Sequence, residues 1–246
     1  MIKLPGNPSR KRVALLVLGG AATLIVAIFL LVYFVIFPTS SPKPFKLAIS
    51  STSSAATTSS ASASTGGVGG RWSVAAGSEA GYRVREKLAF LPAESDAVGR
   101  TSSITGAAQL GESRGTITIT TASFNVAVNT LKSDRSMRDE KIHEIGLESS
   151  RYPTATFVMS APVGFTTSAV SGHVARASVT GVFTIHGTSK SRTLPVEFAL
   201  SGSTLEAAGS ITFPWSEFGM SAPSVGGFVN VTEKATMEFD LHLQRA

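Results

Sequence analysis

Three kinds of hydrophobic patterning follow one another along this chain. Residues 13–37 run for 25 positions without a charged side chain, entered directly from Arg10, Lys11 and Arg12. Residues 38–70 then turn to Ser, Thr, Ala and Gly, with little apolar surface to offset the entropy of ordering. Past Arg71 and Trp72 the apolar positions recur with a period of two, as strands with one buried face require.

In that third region Tyr82, Val84, Leu88 and Phe90 alternate with Arg83, Arg85, Lys87 and Ala89, and Glu86 alone interrupts the apolar side. Leu91-Pro92 ends this strand. Residues 100–110 form a weaker candidate, then residues 111–115 (GESRG) read as a turn into a strand at 116–121. The apolar parity shifts between Ile119 and Phe124, so a bulge or break is expected around Ala122 and Ser123. Further strands are expected over 155–161, 174–185, 193–201, 205–213 and 235–243. The last is the cleanest, with Ala235, Met237, Phe239, Leu241 and Leu243 set against Thr236, Glu238, Asp240 and His242.

Residues 133–146 are the one convincing helical stretch: Ser133 is placed to cap it, Asp134 sits in its first turn and Gly146 supplies a stop. About eight strands and one short helix describe an antiparallel barrel or a sandwich. The apolar faces carry a ring on almost every strand, namely Tyr82, Phe90, Phe124, Phe157, Phe183, Phe198, Phe213 and Phe239. They would fill a sandwich core or line an eight-stranded barrel, which is just wide enough to be filled or to hold one slender ligand. Patterning leaves both architectures open. Trp215, Phe218 and Phe228, in a Gly- and Pro-rich segment, would rim a barrel mouth or plug one end of the core.

At about 1.5 Å per residue the apolar run 13–37 spans roughly 37 Å, more than the roughly 30 Å of a bilayer's hydrocarbon core. It is too long for the apolar region of a signal peptide and ends in Tyr33, Phe34, Phe37 and Pro38. We therefore read residues 13–37 as a single transmembrane anchor. Lys3, Arg10, Lys11 and Arg12 before it, against Lys43 and Lys46 after it, place residues 1–12 in the cytoplasm and the C-terminal domain, 71–246, outside. Residues 38–70 are expected to be a disordered tether with a reach of roughly 30 Å.

The net charge of +6 changes meaning once it is located. Six of the 22 Lys and Arg precede residue 71, and the remaining 16 match the 16 Asp and Glu, all of which follow it. The domain is formally neutral, which removes the charge argument for a nucleic-acid partner. The chain has no cysteine, so disulfides, thiolate metal sites and thiol catalysis are excluded.

Residues 181–188 (GVFTIHGT) resemble the YceI family of extracytoplasmic lipid-binding proteins. Around them, in matching order, stand Leu131-Lys132-Ser133-Asp134, Arg138-Asp139, residues 152–157 (YPTATF) and Glu217-Phe218-Gly219. The resemblance spans about residues 72 to 243. It implies an all-β, lipocalin-like antiparallel barrel whose apolar interior holds a polyisoprenoid or similar long-chain lipid. On that reading the eight rings above are ligand contacts, and Arg138, His186, Trp215 and Phe218 are candidate mouth or head-group contacts. The chain departs from the family at residues 81–86 (GYRVRE), where relatives often carry a histidine.

Other constellations point to no chemistry. The letters GxSxG at 111–115 precede a strand rather than the helix a nucleophile elbow needs. His143, His173, His186 and His242 make no metal-ligand spacing, and His186, before a glycine and between strands, reads first as a turn residue. Arg138-Asp139 reads as a helix-surface ion pair or a tie between helix and barrel as readily as a head-group site. We expect a membrane-tethered binding module without catalytic residues, cofactor or metal. The alternative is a structural or protein-interaction barrel filled by its own side chains.

Overall fold

The computed structural model describes residues 24, 41–47, 67–88, 94–225 and 229–246. The chain divides into two units at Ser41/Pro42, and the second, 42–246, carries the fold. Among the described residues no helix is long and apolar enough to cross a membrane. Apart from Leu24, the expected anchor at 13–37 lies outside them, as do Phe90 and Phe228.

The strands are β1 (Gly70–Val74), β2 (Glu79–Leu88), β3 (Glu94–Thr101), β4 (Ile104–Ser113), β5 (Thr116–Ala127), β6 (Thr154–Met159), β7 (Val163–Thr166), β8 (Ala175–Ile185), β9 (Thr188–Ser201), β10 (Thr204–Pro214), β11 (Ser224–Val225) and β12 (Val229–Arg245). Six of these segments act as three long, interrupted strands. β1 and β2 run consecutively along β12, β4 and β3 follow them on the other side, and β6 and β7 run consecutively along β5. Counted this way, and with the two-residue β11 set aside as a short hairpin partner of β12, the sheet has eight antiparallel members in sequence order. The first pairs with the last through Trp72 opposite Arg245 and Tyr82 opposite Met237, which closes a barrel. Closure leaves no free edge to be covered.

The expected parity break falls within β5: Gln109 lies opposite Thr121 but Leu110 opposite Ile119, so Thr120 is the extra residue. Its Oγ1 donates to the Gln109 carbonyl at 3.1 Å, satisfying an acceptor at the interruption. The strand at 100–110 resolves into the end of β3 and most of β4, and the turn at 111–115 shrinks to Arg114-Gly115.

The helix is shorter than its sequence suggested. α1 covers Ser136–Lys141, followed by a wider π-type turn at Ile142–Gly146. Ser133 does not cap it; the N-cap is Arg135, without a side-chain cap bond. Ser133 instead accepts from the Arg135 N–H at 3.2 Å, and Asp139 Oδ1 reaches back to the Ser133 N–H at 2.8 Å. A hydroxyl that closes its own local turn competes with helix initiation.

Part of the expected tether is bound to the barrel. Arg83 and Arg100 donate to the carbonyls of Pro42 at 2.6 Å and Lys43 at 2.7 Å, and the Arg100 guanidinium stacks on the Phe45 ring at 3.8 Å. Leu47 N–H reaches Glu197 Oε2 at 3.1 Å. Two prolines in this stretch pre-set an extended backbone, lowering the entropy lost on docking.

Candidate functional site: the barrel interior

Among the described residues the inward faces of the eight strands border two apolar cavities. The larger, about 100 Å³, is bounded by side chains including Phe124, Phe157, Phe183, Phe198, Met159 and Phe239. The smaller, about 70 Å³, lies among Tyr82, Leu131, Ile142, Phe213, Trp215 and Met220. Ala80, Val126, Ala155 and Met237 border both and form the waist between them. Of the rings assigned to the interior from sequence, five therefore border the first cavity and two, Tyr82 and Phe213, the second.

An eight-stranded barrel lined by so many rings is expected to be full, and glycines explain why this one is not. Tyr82 lies opposite Gly99, Phe124 opposite Gly106 and Phe239 opposite Gly209, while Phe157 lies diagonal to Gly181. A Cβ added at these glycines would fall 2.3, 2.7, 2.8 and 2.2 Å from the respective ring carbons. Each ring thus rests on bare backbone and lies along the wall instead of crossing the lumen. Sequence reasoning had the rings and missed the glycines. The signal was available, because glycine inside a strand marks a close approach by another group.

Ring-to-ring contacts complete the packing. Phe157 and Phe183 meet at 4.8 Å, Phe165 and Phe198 stack at 5.1 Å, and Phe213 meets Phe218 edge-on at 4.8 Å. Phe218 and Trp215 are almost fully buried and plug one end of the barrel. Trp215 donates its indole N–H to the Thr232 carbonyl at 2.9 Å, and Glu217 accepts from Arg192 Nε at 2.7 Å, tying the plug to β9. Of the four mouth candidates only Trp215 borders a cavity.

His186 is the turn residue its position suggested. With φ of 51° it joins Gly187 at 71° in the two-residue connection between β8 and β9. Its Nε2 lies 3.1 Å from Glu148 Oε1, and its ring tilts against Tyr152 at 4.3 Å. The other histidines are held apart: His143 bridges the Leu131 carbonyl at 3.0 Å and Ser149 Oγ at 2.8 Å, and His173 bonds the Ser171 carbonyl.

Arg138 is the tie between helix and barrel. Its guanidinium forks onto Glu86, Nη2 to Oε1 at 2.6 Å and Nε to Oε2 at 3.4 Å, and it also pairs with Asp134. Glu86 is the one charged residue on the inward face of β2, and it is buried. Its partner stands 52 residues away, which is why the sequence showed Glu86 only as an interruption. Beside this pair the Tyr82 hydroxyl is buried, and burial raises the phenol above its ordinary pKa.

A solved polyisoprenoid binding domain from Saccharophagus degradans, implicated in plant cell wall breakdown, is similar in fold at 12% identity, covering 72% of this chain and 99% of that one with a TM-score of 0.53. Burkholderia cenocepacia BcnA matches at 20% identity over 66% of this chain and 95% of that one, with a TM-score of 0.47. A Campylobacter jejuni YCEI protein matches at 12% identity over 60% and 84%, with a TM-score of 0.45. No curated protein sequence matches significantly. The family model of the YceI-like domain matches residues 72–243, the whole barrel from the residue that pairs the first strand to the last, and this chain therefore belongs to the YceI-like domain family.

Proposed function

We propose that the domain is a binding module that holds the apolar chain of a polyisoprenoid-type or other long-chain lipid inside its barrel, with no chemical step. The observation that carries this reading is the pair of adjoining apolar cavities bordered by rings laid over glycines. Binding would be driven by removing lipid surface from water, at about 25 cal/mol per Å² before the costs of association. A domain similar in fold is a polyisoprenoid binding domain, which supports the same class of ligand here. The apolar run 13–37 and its basic flank support a further proposal, that the barrel is tethered to a membrane with the domain on the extracytoplasmic side.

One magnitude favours a second reading. A dry apolar cavity of about 150 Å³ accommodates a benzene ring, whereas the larger cavity here holds about 100 Å³. A long chain would enter only if Met159, Met237 and the ring side chains move. If they do not, the domain is a structural or protein-interaction barrel with a nearly filled core.

Native mass spectrometry of the full chain in lipid nanodiscs, followed by organic extraction, separates the two. Retention of a long-chain lipid by the folded barrel is the expected result. A barrel that emerges empty and takes up no added isoprenoid overturns the lipid reading.

A further inference from the structure

On the outer wall formed by β3, β2, β12, β10 and β9, some side chains are buried although they point away from the lumen. Val98 lies opposite Arg83, and Ala208 lies opposite Glu197 and Asp240, so both face outward. Both are nevertheless buried, as is Glu238 on the strand between, and neither Val98 nor Ala208 belongs to the hydrophobic core.

Residues 42–47 are fastened on both sides of this patch. At one side the carbonyls of Pro42 and Lys43 accept from Arg83 on β2 and Arg100 on β3, and the Phe45 ring lies against the Arg100 guanidinium. At the other side the Leu47 N–H donates to Glu197 on β9. The short path between these holds crosses β12 and β10, the strands that carry Glu238 and Ala208. Phe45 and Leu47 are half-buried while Pro44 and Lys46 are exposed, the alternation of an extended segment held by one face.

This docking changes how far the linker can reach. Residues 48–66 leave the barrel wall at Leu47 and return to it at Gly67, whose carbonyl accepts from Arg245 Nη1 at 3.1 Å, with the Val68 N–H donating to Glu112 at 2.6 Å. Chain closed at both ends on the barrel adds nothing to the distance from an anchor. Only residues 38–41 stand between the apolar run and the strap, and four residues span at most about 14 Å.

We propose that residues 42–47 are a strap that replaces the long tether with a short one and holds the Arg83–Arg100 side of the barrel at the bilayer surface. This rests on the membrane-tethered reading above. The partner of that side of the domain is then a lipid surface, with Lys43 and Lys46 exposed beside it.

The test uses the full chain in lipid nanodiscs. The chain has no cysteine, so Ser102→Cys, at an exposed position two residues beyond Arg100, takes a donor dye alone. Energy transfer to an acceptor-labelled lipid reads its separation from the bilayer. Twenty Gly and Ser residues are inserted either before the strap, between Thr39 and Ser40, or after it, between Ala56 and Thr57. The expected result is that the first insertion about doubles the separation and the second leaves it unchanged. Replacing residues 42–47 by alternating Gly and Ser leaves the barrel's own side chains in place, and should about double the separation without any insertion.

If both insertions raise the separation alike, by about a quarter as for one free linker, or if the Gly and Ser replacement leaves it unchanged, the strap falls and the tethered reading stands. A chain that does not enter nanodiscs overturns both.

Discussion

β2, β3 and β12 present two opposite solutions on their two faces. Inward, Tyr82, Gly99, Met237 and Phe239 are apolar or bare, and their packing leaves space. Outward, Glu238 is 1% exposed and is gripped by Arg83 at 3.3 Å and Arg100 at 3.0 Å, with Arg83 also on Asp96 at 3.0 Å and residues 42–47 laid across the arginines. The outer face is rich in directional bonds, whereas around the cavities the inner face relies on shape. A wall that must admit a ligand can be reshaped only on the side where no charge would be stranded by movement.

The strongest way to break this contrast is on the outer face. Glu238→Ala removes the buried carboxylate that two arginines share and should cost about 3 kcal/mol, read as a lower urea midpoint, since removing one partner of a buried pair leaves the other less compensated. Lipid uptake per folded molecule should not change.

Gly181→Val attacks the inner face. The new side chain would meet Phe157 at 2.2 Å and the Val158 carbonyl at 2.7 Å, so the ring must swing into the lumen. A stability loss of about 2 kcal/mol is expected from overpacking, together with loss of isoprenoid uptake measured by extraction and mass spectrometry. Unchanged uptake would contradict the role given to the glycines.

The smallest effect sharpens the comparison at its weakest outer position. Asp240 Oδ1 is buried without a hydrogen bond, and burial raises its carboxyl above the ordinary value of 3.8. The folded state therefore favours the protonated form, and that contribution is complete below the ordinary pKa and lost as pH rises through the raised one. Asp240→Asn should melt higher than the parent at pH 7, with the difference vanishing toward pH 3. Thermal unfolding at the two pH values measures it.

Much of the site's lining was legible in the chain. The alternation in β12 and β2 identified Tyr82 and Phe239 as inward, and the parity shift in β5 anticipated the bulge at Thr120. The role of Ser133 was not legible, because its hydroxyl could cap a helix or close a turn, and Asp139 tips the choice by holding its N–H. Nor was the docking of residues 42–47, whose partners Arg83, Arg100 and Glu197 stand 41 to 150 positions away.

By itself the sequence determined most of the strands, the direction of their apolar faces and the neutral charge of the domain. Those properties depend on neighbours one or two residues apart and on simple counting. Only the tertiary structure decided that the barrel closes, that Glu86 finds Arg138, and that rings rest on glycines so that space remains. Each of these is a meeting of residues far apart in the chain, and a period of two says which way a side chain points without saying what it will touch.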